Sequence, residues 1–477
     1  MEKLMNNEKE YPVYSAEDIE KQKALDVKEK ANNWQKLEEK LTSDVGEELA
    51  KETVKAFGEL YELFEGGAVD WFANLFDAEC GGYYYSNSAR DTACFRPDLE
   101  STYQSLQFMS GSGLGVGISS QREIMPEWAI KGIVKFTKSL QDPENGYFYH
   151  PQWGKKMIDA RPNRRGRDLT WASRILQRFG EKPTYDTPLG DKGDGKGAEA
   201  KSVNSAVSLD RDSAVAEHLR TKEAFEEYLS KLDVNGDGYT VGNLLESQAD
   251  QILVRDSVLA ERGENYRLAD IMTDWLTSKQ NPKTGLWTQY DKIDYLGING
   301  LLKIMDAYHR VHKEFPHAVE AFRSAMQILE APIEPTTVCF VLNPWYAMTS
   351  LLDNIEKYNS SEDKEEINRA VTKIRREMLL NAPALIRATI KKLKIFHKPD
   401  GSFSYMPRLS GPNSQGLPVA ISGTNEGDVN ATYICIVATT SHVFNVLGYK
   451  LLPIYYKADR MRYLNILEEN RKSGLSV

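Results

Sequence analysis

Cysteine is scarce in this sequence. The 477 residues include only four cysteines, Cys80, Cys94, Cys339 and Cys435, and no two of them form a CxxC pair. A disulfide framework or a structural zinc site requires more closely spaced cysteines. We therefore expect reduced, buried thiols, which are typical of a cytoplasmic protein.

Long apolar runs are absent as well. The sequence has no stretch of about 18 apolar residues that could form a transmembrane helix. Residues 1–21 lack the apolar core of a secretory signal. These absences predict a cytoplasmic protein without a membrane partner.

An excess of positive charge is also missing. Lys and Arg number 60 against 69 Asp and Glu, which gives a net charge of −9. Because nucleic-acid binding depends on clustered cations, this balance argues against a nucleic-acid partner. It leaves room for a local basic pocket. In contrast to these scarce features, tyrosine and tryptophan are abundant, with 24 and 8 residues.

Several catalytic motifs do not occur in the sequence. HExxH, GxxxxGK[ST] and GxSxG are all absent. A zinc protease, an NTPase and a serine hydrolase therefore lack support. The sequence indicates no metal site and no cofactor.

Apolar residues recur at helical spacing through most of the chain, and alternating strand-like segments are few. We therefore predict an all-α protein. The expected organisation is a charged helical lead-in at 1–54, one domain at 55–460 and a C-terminal tail at 461–477. The Pro-, Gly- and Asp-rich segment 183–200 is predicted to be a long surface loop within that domain.

An internal repeat organises the domain. Short turns rich in Gly, Asp and aromatic residues interrupt the helices, and a degenerate sixth turn lies at 331–346. The turn glycines are Gly82, Gly146, Gly238, Gly285 and Gly401. Each turn is followed by a more apolar helix that opens with a capping residue. Six pairs of an outer and an inner helix predict a closed (α/α)6 toroid of six helix hairpins.

The turns QDPENGYF, KQNPKTGLW and KPDGSFSY resemble those between the paired helices of six-hairpin glycosidases and terpenoid-cyclase-like α/α toroids. The resemblance covers roughly residues 55–450. That group includes glycoside hydrolases, polysaccharide lyases, terpene cyclases and prenyltransferase subunits. The resemblance implies a ligand site where the loops before the inner helices meet at one end of a funnel. The DxDD and DDxxD clusters of a terpene cyclase are absent.

Acidic side chains in those loops are candidates for an acid and a base. Glycoside hydrolysis needs two carboxyl groups about 5–10 Å apart. Glu426 and Asp428 stand too close in sequence to flank one bond, so either would pair with an acid from another loop. Each aspartate could instead only cap its helix. The candidate catalytic residues are Glu426, Asp428, Asp98, Glu100, Asp294, His150 and Tyr85.

Aromatic and basic side chains in the same loops are candidates for sugar binding. Tyrosine and tryptophan can stack on sugar rings, and arginine can bind an anionic group bidentately. The predicted substrate-binding residues are Tyr84, Asn87, Arg90, Trp153, Arg164, Arg165, Trp287 and Gln289. A local Arg90–Asp91 ion pair and a solvated arginine loop are the alternatives.

The segment DVNGDG at 233–238 resembles the start of a calcium-binding loop. The last ligand position of such a loop requires a bidentate acid, and the sequence has Leu244 there. A plain Asn/Gly turn is therefore favoured.

Together these patterns predict a carbohydrate-active enzyme, with a glycoside hydrolase that cleaves oligosaccharides as the leading hypothesis. The alternative is a polysaccharide lyase that acts on a uronic acid polymer. There, Arg164 or Arg165 would neutralise the carboxylate together with Asn87, and Tyr85 or His150 would remove the α-proton. A third hypothesis is a non-catalytic glycan-binding toroid. The expected partner is an oligosaccharide or polysaccharide, and a homodimer is left open.

Overall fold

The chain is mostly helical, which confirms the all-α prediction at that level. The computed structural model describes residues 13–118, 121–195, 216–358 and 364–473. Within these ranges, no helix is long and apolar enough to cross a membrane. The strands are β1 (Phe76–Asp77), β2 (Gly82–Tyr83), β3 (Asn413–Ser414) and β4 (Leu417–Pro418), and β1 pairs with β2 and β3 with β4, both antiparallel. The helices are α1 (Ala16–Val45), α2 (Glu47–Glu62), α3 (Ala68–Asn74), α4 (Asn87–Arg90), α5 (Leu99–Gly111), α6 (Glu127–Ser139), α7 (Gly154–Asp159), α8 (Pro162–Arg178), α9 (Lys222–Ser230), α10 (Gly238–Glu261), α11 (Leu268–Lys279), α12 (Tyr295–Arg310), α13 (Ala318–Glu330), α14 (Cys339–Tyr358), α15 (Lys364–Leu393), α16 (Val429–Tyr433), α17 (Thr439–Leu447) and α18 (Lys457–Ser473).

The helices that follow the repeated turns pack side by side. We call α5, α8, α10, α12, α14 and the run α16–α17 the inner helices; a π-helical turn, Ile434–Ala438, joins the two parts of that run. α5 packs against α8 and α16, α12 packs against α10 and α14, and α14 packs against α17. Among the other helices, α13 packs against α14 and α15, and α15 packs against α2.

Aspartates cap the start of several inner helices. Asp98, Asp237, Asp294 and Asp428 cap α5, α10, α12 and α16, and each carboxylate accepts backbone N–H groups of the first turn. Such a cap satisfies N–H groups that have no partner inside the helix and suits the positive end of the helix dipole. Gly238, predicted to be a turn glycine, is the first residue of α10.

Left-handed glycines in the turns allow neighbouring helices to approach closely. Gly146 and Gly285 have φ values of 72° and 68°, which L-residues rarely adopt. A Cβ on Gly285 would lie 2.3 Å from the backbone nitrogen of Ala321 in α13. In the first turn the left-handed residue is Gly81, whereas the predicted Gly82 belongs to β2.

Two of these turns are built from the same hydrogen bonds. The buried amide of Gln141 donates to the carbonyl of Gly146 at 3.2 Å, and that of Gln280 donates to the carbonyl of Gly285 at 2.9 Å. The internal repeat is therefore a repeat of structure at these two positions.

The charged lead-in is a packed helix. α1 packs against α2 and α18, and the buried Asp26 accepts the N–H of Ala458 at 2.7 Å. Residues 461–473 belong to α18, in which Tyr463 and Leu467 are buried. They are therefore part of the packed body. The predicted boundary after residue 54 falls inside α2.

The predicted loop at 183–200 is described as far as residue 195, and its remaining residues lie outside the described ranges. The described part contains neither helix nor strand. The N–H of Gly195 donates to the carbonyl of Thr184 at 2.9 Å, which closes one of its turns.

All four cysteines are free. Cys435 is buried, but Cys94 is exposed, so the expectation of buried thiols is wrong for Cys94.

Candidate active site

A buried arginine holds three carboxylates together. Arg164 in α8 is fully buried, and its guanidinium lies 2.9 Å from the carboxylate of Asp168. The carboxylates of Asp98 and Glu100 each lie 3.4 Å from it. Asp168 lies inside α8 and does not cap it. All these partners lie within the protein, and binding of an anionic substrate group by Arg164 stays a prediction.

Three carboxylates around one guanidinium leave an excess of negative charge in a buried site. Burial raises the pKa of Asp168 to about 7, although Arg164 acts in the opposite direction. Burial likewise raises the pKa of Glu100 against the effect of Arg164. Burial alone would lower the pKa of Arg164, but the three carboxylates raise it above its ordinary value. The excess charge is therefore relieved by protonation of an acid and not by loss of the cation.

Asp428 is a second buried acid, at the start of α16. One carboxylate oxygen accepts the N–H of Ala431 at 2.8 Å, and the other accepts the N–H groups of Tyr405 and Gly411 at 2.8 and 3.1 Å. Burial raises the pKa of Asp428 to about 7 despite these donors and a hydrogen bond from Tyr85. A carboxyl group that titrates near neutrality can exchange a proton at working pH.

Tyr85 lies between the two sets of acids. Burial, followed by the charges of Asp428 and Glu100, raises the pKa of its buried hydroxyl well above the ordinary value. Its backbone carbonyl accepts the N–H of Val429 at 2.9 Å. The hydroxyl is therefore a proton donor at neutral pH, and the predicted role of Tyr85 as a base for α-proton removal is not met.

Glu426 is held by serine side chains. Its Oε1 accepts the hydroxyls of Ser86 and Ser410 at 2.8 and 3.1 Å, and its Oε2 accepts the N–H of Ser88 at 2.8 Å. Glu426 thereby fastens the loop before α5 to the loop before α16. We regard it as a positioning residue.

One short segment, 410–414, joins acids from distant parts of the chain. The N–H of Gly411 donates to Asp428 at 3.1 Å, and the hydroxyl of Ser414 donates to Glu100. The segment therefore links two sequence-predicted acids, Glu100 and Asp428, which together we call the acid cluster.

A hairpin covers the acid cluster. β3 and β4 form it at 413–418, and the indole N–H of Trp153 donates to the carbonyl of Pro418 at 3.0 Å. Trp153 is only 6% exposed, and its ring lies 4.5 Å from the guanidinium of Arg164. The ring of Trp153 thus stacks on Arg164 beneath the hairpin, and its predicted contact with a sugar stays a prediction.

His150 is buried, and both of its ring nitrogens are used. Nε2 lies 2.7 Å from the carbonyl of Pro97, and Nδ1 accepts the N–H of Gln152 at 3.3 Å. Since Nδ1 is the acceptor, Nε2 carries the proton and the ring is neutral. Burial lowers the pKa of His150, which also favours the neutral ring. The predicted acid/base role of His150 is not met.

The candidates around α4 contact nearby residues. The hydroxyl of Tyr84 donates to Asp77 at 2.9 Å. Arg90 forms the local ion pair with Asp91 at 2.7 Å, which was the alternative for this residue. Asn87 begins α4 and is half-buried.

Arg165 differs from Arg164 because it is partly exposed. Its guanidinium pairs with Asp159 at 3.0 Å and lies 4.8 Å from the ring centre of Tyr147. Because Arg165 lies within α8 and Arg164 beside it is buried, the alternative of a solvated arginine loop is wrong.

The remaining candidates lie apart from the acid cluster. Asp294 caps α12 and pairs with Lys292 at 2.7 Å. With Gln289 it lines a groove of about 900 Å³. Trp287 is 3% exposed and donates its indole N–H to the carbonyl of Leu276 at 2.8 Å. Most of Trp287 is therefore covered by protein, and its predicted stacking on a sugar stays a prediction.

Within the described residues, no group of three or more His, Cys, Asp or Glu side chains is arranged to hold a metal ion. In the DVNGDG segment, Asp233 accepts the N–H of Gly236 and Asp237 accepts that of Thr240, both at 3.0 Å. These carboxylates stabilise a turn and a helix start, as in the plain turn that the sequence favours.

The sequence analysis does not single out the segment that joins the acids. Ser410, Gly411 and Ser414 have no catalytic pattern around them. The available signal is composition, because SGPNSQG at 410–416 is rich in Gly, Pro and Ser and lies shortly before the loop that carries Asp428.

Comparison with protein families, with curated proteins and with solved structures finds no match to this chain. The assignment of the site therefore rests on its geometry and chemistry.

Proposed function

We propose that the chain is a closed (α/α)6 toroid and acts as a glycoside hydrolase on oligosaccharides. The ring is supported by the packing of α5 against α8 and α16, of α12 against α10 and α14, and of α14 against α17. It is also supported by side chains that meet between them. Burial, with the charges of Asp306 and Glu246 from α12 and α10, raises the pKa of Tyr346 in α14 to about 12. Arg174 in α8 donates to the hydroxyl of Tyr103 in α5 at 3.3 Å.

The observation that carries the enzymatic proposal is that Glu100 and Asp428 are linked through the segment 410–414. They come from opposite ends of the domain sequence, at the starts of two neighbouring inner helices. Both acids have a raised pKa because both are buried. Two carboxyl groups in one site, with environments that differ, are the chemical requirement of a glycosidase.

The environments suggest the role of each acid. Glu100 lies 3.4 Å from the guanidinium of Arg164, which opposes the effect of burial on its pKa; we therefore assign Glu100 as the base or nucleophile. Asp428 has no cation among its hydrogen-bond partners and serves as the acid. Asp428 gives its proton to the glycosidic oxygen while the bond from that oxygen to the anomeric carbon breaks. A water molecule supplies the new hydroxyl group on that carbon and, through the carboxylates, the proton that restores the acid.

Substrate access requires the hairpin at 413–418 to move. The hairpin is held by a few hydrogen bonds, including those from Trp153 to Pro418 and from Ser414 to Glu100. A sugar hydroxyl can replace the Ser414 hydroxyl as donor to Glu100. Loops that close over a substrate in this way exclude water from the reaction.

A polysaccharide lyase is supported less well. That chemistry needs a free cation for the uronate group and a base for the α-proton. Arg164 is occupied by three carboxylates, and Arg165 pairs with Asp159. The Tyr85 hydroxyl keeps its proton at neutral pH because its pKa is raised, and both ring nitrogens of His150 are in hydrogen bonds.

A non-catalytic glycan-binding toroid is the second candidate. It is favoured by one observation, which is that the groove beside Asp294 is open whereas the acid cluster is covered. A protein of this kind would bind a glycan and release it unchanged.

The four free cysteines, one of them exposed, support a reducing compartment. We therefore also propose a cytoplasmic location.

One assay separates these functions. The protein is incubated with neutral and uronic acid oligosaccharides, and new reducing ends are measured together with the ultraviolet absorbance of unsaturated sugars. Hydrolysis predicts reducing ends without that absorbance, and a loss of roughly 100-fold or more in rate for Glu100→Gln and for Asp428→Asn. The control Glu227→Gln, in an exposed ion pair with Lys231, should keep the full rate. Unsaturated products would instead identify a lyase.

A further inference from the structure

A groove lined by exposed aromatic and apolar side chains opens over the first turns of α10 and α12. Its volume is about 900 Å³. The side chains of Tyr290, Leu296 and Tyr239 are 88%, 67% and 44% exposed. Large side chains grouped in a concave and accessible surface are typical of a ligand site.

The loop that carries Tyr290 is held rigidly. Tyr290 has a left-handed backbone with φ of 59°, a conformation that is strained for a side chain of this size. The amide of Asn281 donates to the carbonyl of Tyr290 at 2.8 Å and to the carboxylate of Asp291 at 2.9 Å. Lys283 also pairs with Asp291 at 2.9 Å. The loop therefore maintains a strained turn that presents an aromatic ring to solvent.

The floor of the groove is formed by closely packed helices. A Cβ on Gly300 of α12 would lie 3.2 Å from the Cα of Gly238 in α10, so the two helices touch through their backbones. Trp287, although 3% exposed, also contributes to the lining of the groove. A ligand in the groove would meet a surface that is already formed, which lowers the entropic cost of binding.

Packed residues connect the groove with the acid cluster. Tyr405 donates its N–H to Asp428 at 2.8 Å, and its hydroxyl lies 3.4 Å from the sulfur of Cys339. Burial raises the pKa of Tyr405, and the charges of Cys339, Asp428 and Tyr239 raise it further. Phe340, the residue after Cys339, stacks on Tyr295 of α12 with ring centres 4.8 Å apart. A chain of contacts therefore links the groove, beside Leu296, to Asp428.

The charges of the groove favour an uncharged ligand. Its charged lining residues are Asp237, Lys292 and Asp294, and the latter two form an ion pair at 2.7 Å. The carboxylate of Asp237 is used as a helix cap. A polyanion would meet a net negative surface, whereas the flat faces of neutral sugars can stack on tyrosine rings.

We propose that this groove binds the distal part of a neutral oligosaccharide chain, with sugar rings stacked on Tyr239 and Tyr290, while the chain extends toward the acid cluster. The inference rests on the proposed function for the class of substrate. It adds that the substrate is a neutral chain of several sugar units and not a single sugar or a uronic acid polymer.

The test uses native gels that contain dissolved glucan, xylan, mannan or polygalacturonate, in which binding retards the protein. We expect at least one neutral polysaccharide to retard the wild-type protein and polygalacturonate to have no effect. Tyr290→Ala should raise the apparent Kd about tenfold, which corresponds to about 1.4 kcal/mol. Tyr290→Phe keeps the ring and should stay within about twofold of wild type. Leu380→Ala, at another exposed apolar position, should bind as wild type does.

The outcomes separate this inference from the proposed hydrolase activity. Retardation that Tyr290→Ala weakens, without any new reducing ends, would support the groove and contradict the hydrolase. Hydrolysis together with an unchanged affinity of Tyr290→Ala would support the hydrolase and contradict the groove proposal. The inference is overturned if no neutral polysaccharide retards the protein, or if polygalacturonate retards it equally. Because the Tyr290 side chain is 88% exposed, its removal leaves the packed core intact.

Discussion

Arg164 is the residue on which the arrangement of the buried acids depends. It is the shared partner of Asp98, Glu100 and Asp168, and all four side chains are almost entirely excluded from solvent. A buried charge that loses its partner is strongly destabilising, because the group left behind is neither solvated nor paired.

We therefore expect Arg164→Met to lower the free energy of unfolding by about 3–5 kcal/mol. The matched control is Arg165→Met, whose exposed ion pair with Asp159 should contribute about 0–1 kcal/mol. Denaturant unfolding measures both changes. Equal effects of the two substitutions would show that the buried network contributes no special stability.

The pKa of Asp168 predicts a pH dependence of stability. Its folded-state pKa is raised by burial to about 7 from an ordinary value of 3.8, so between these values the folded state holds a proton that the unfolded state has lost. The contribution of Asp168 to the free energy of unfolding is fully present below about pH 4 and is lost as the pH rises toward 7. The loss is at most roughly 1.4 kcal/mol per pH unit. Asp168→Asn removes the titrating group and should flatten this slope. A wild-type protein that gains stability over the variant between pH 4 and 7 would contradict the assignment.

Sequence reasoning succeeded for residues whose role is local. The caps Asp98, Asp294 and Asp428 stand directly before their helices, and capping depends only on the next three residues. Two partners of Arg164, Asp98 and Glu100, lie more than sixty residues away in the sequence, and the hairpin that covers Trp153 lies further still. No local pattern specifies these contacts.

At the scale of elements, the repeated turns are the best-defined feature. The left-handed glycines let one turn contact the backbone of the neighbouring helix. Gly285 and Gly180 form a natural comparison. Their φ values are 68° and 67°, but a Cβ on Gly285 would lie 2.3 Å from Ala321, whereas a Cβ on Gly180 would meet nothing within 4 Å.

We expect Gly180→Ala to destabilise the protein by about 1–2 kcal/mol, the cost of a left-handed alanine. Gly285→Ala should cost roughly 2–5 kcal/mol, because the close approach to α13 adds a packing clash. Thermal and denaturant unfolding of the two variants measure the difference. Similar losses of stability would mean that the turn does not press against α13.

The turn repeat was predictable because glycine, aspartate and aromatic residues recur in a recognisable order. The assignment was wrong by one residue at Gly81 because two glycines are adjacent there. The hairpin at 413–418 was not predicted, since its strands are only two residues long and contact a distant loop. Its position over the acids is a tertiary feature.

At the scale of the whole molecule, the inner helices bring loops from distant parts of the sequence to neighbouring positions. Asp98, Asp294 and Asp428 each mark the start of an inner helix. The hydrolase proposal depends on this arrangement, because neither Glu100 nor Asp428 has a second catalytic acid close by in sequence that could flank the same bond.

The most direct test of that proposal is cleavage of a neutral oligosaccharide in isotopically labelled water, followed by mass spectrometry of the products. The account predicts that one labelled oxygen enters the new reducing end, and that Glu100→Gln and Asp428→Asn lose this incorporation while Glu227→Gln retains it. An absence of labelled product with every neutral oligosaccharide, from a folded protein, would contradict the account.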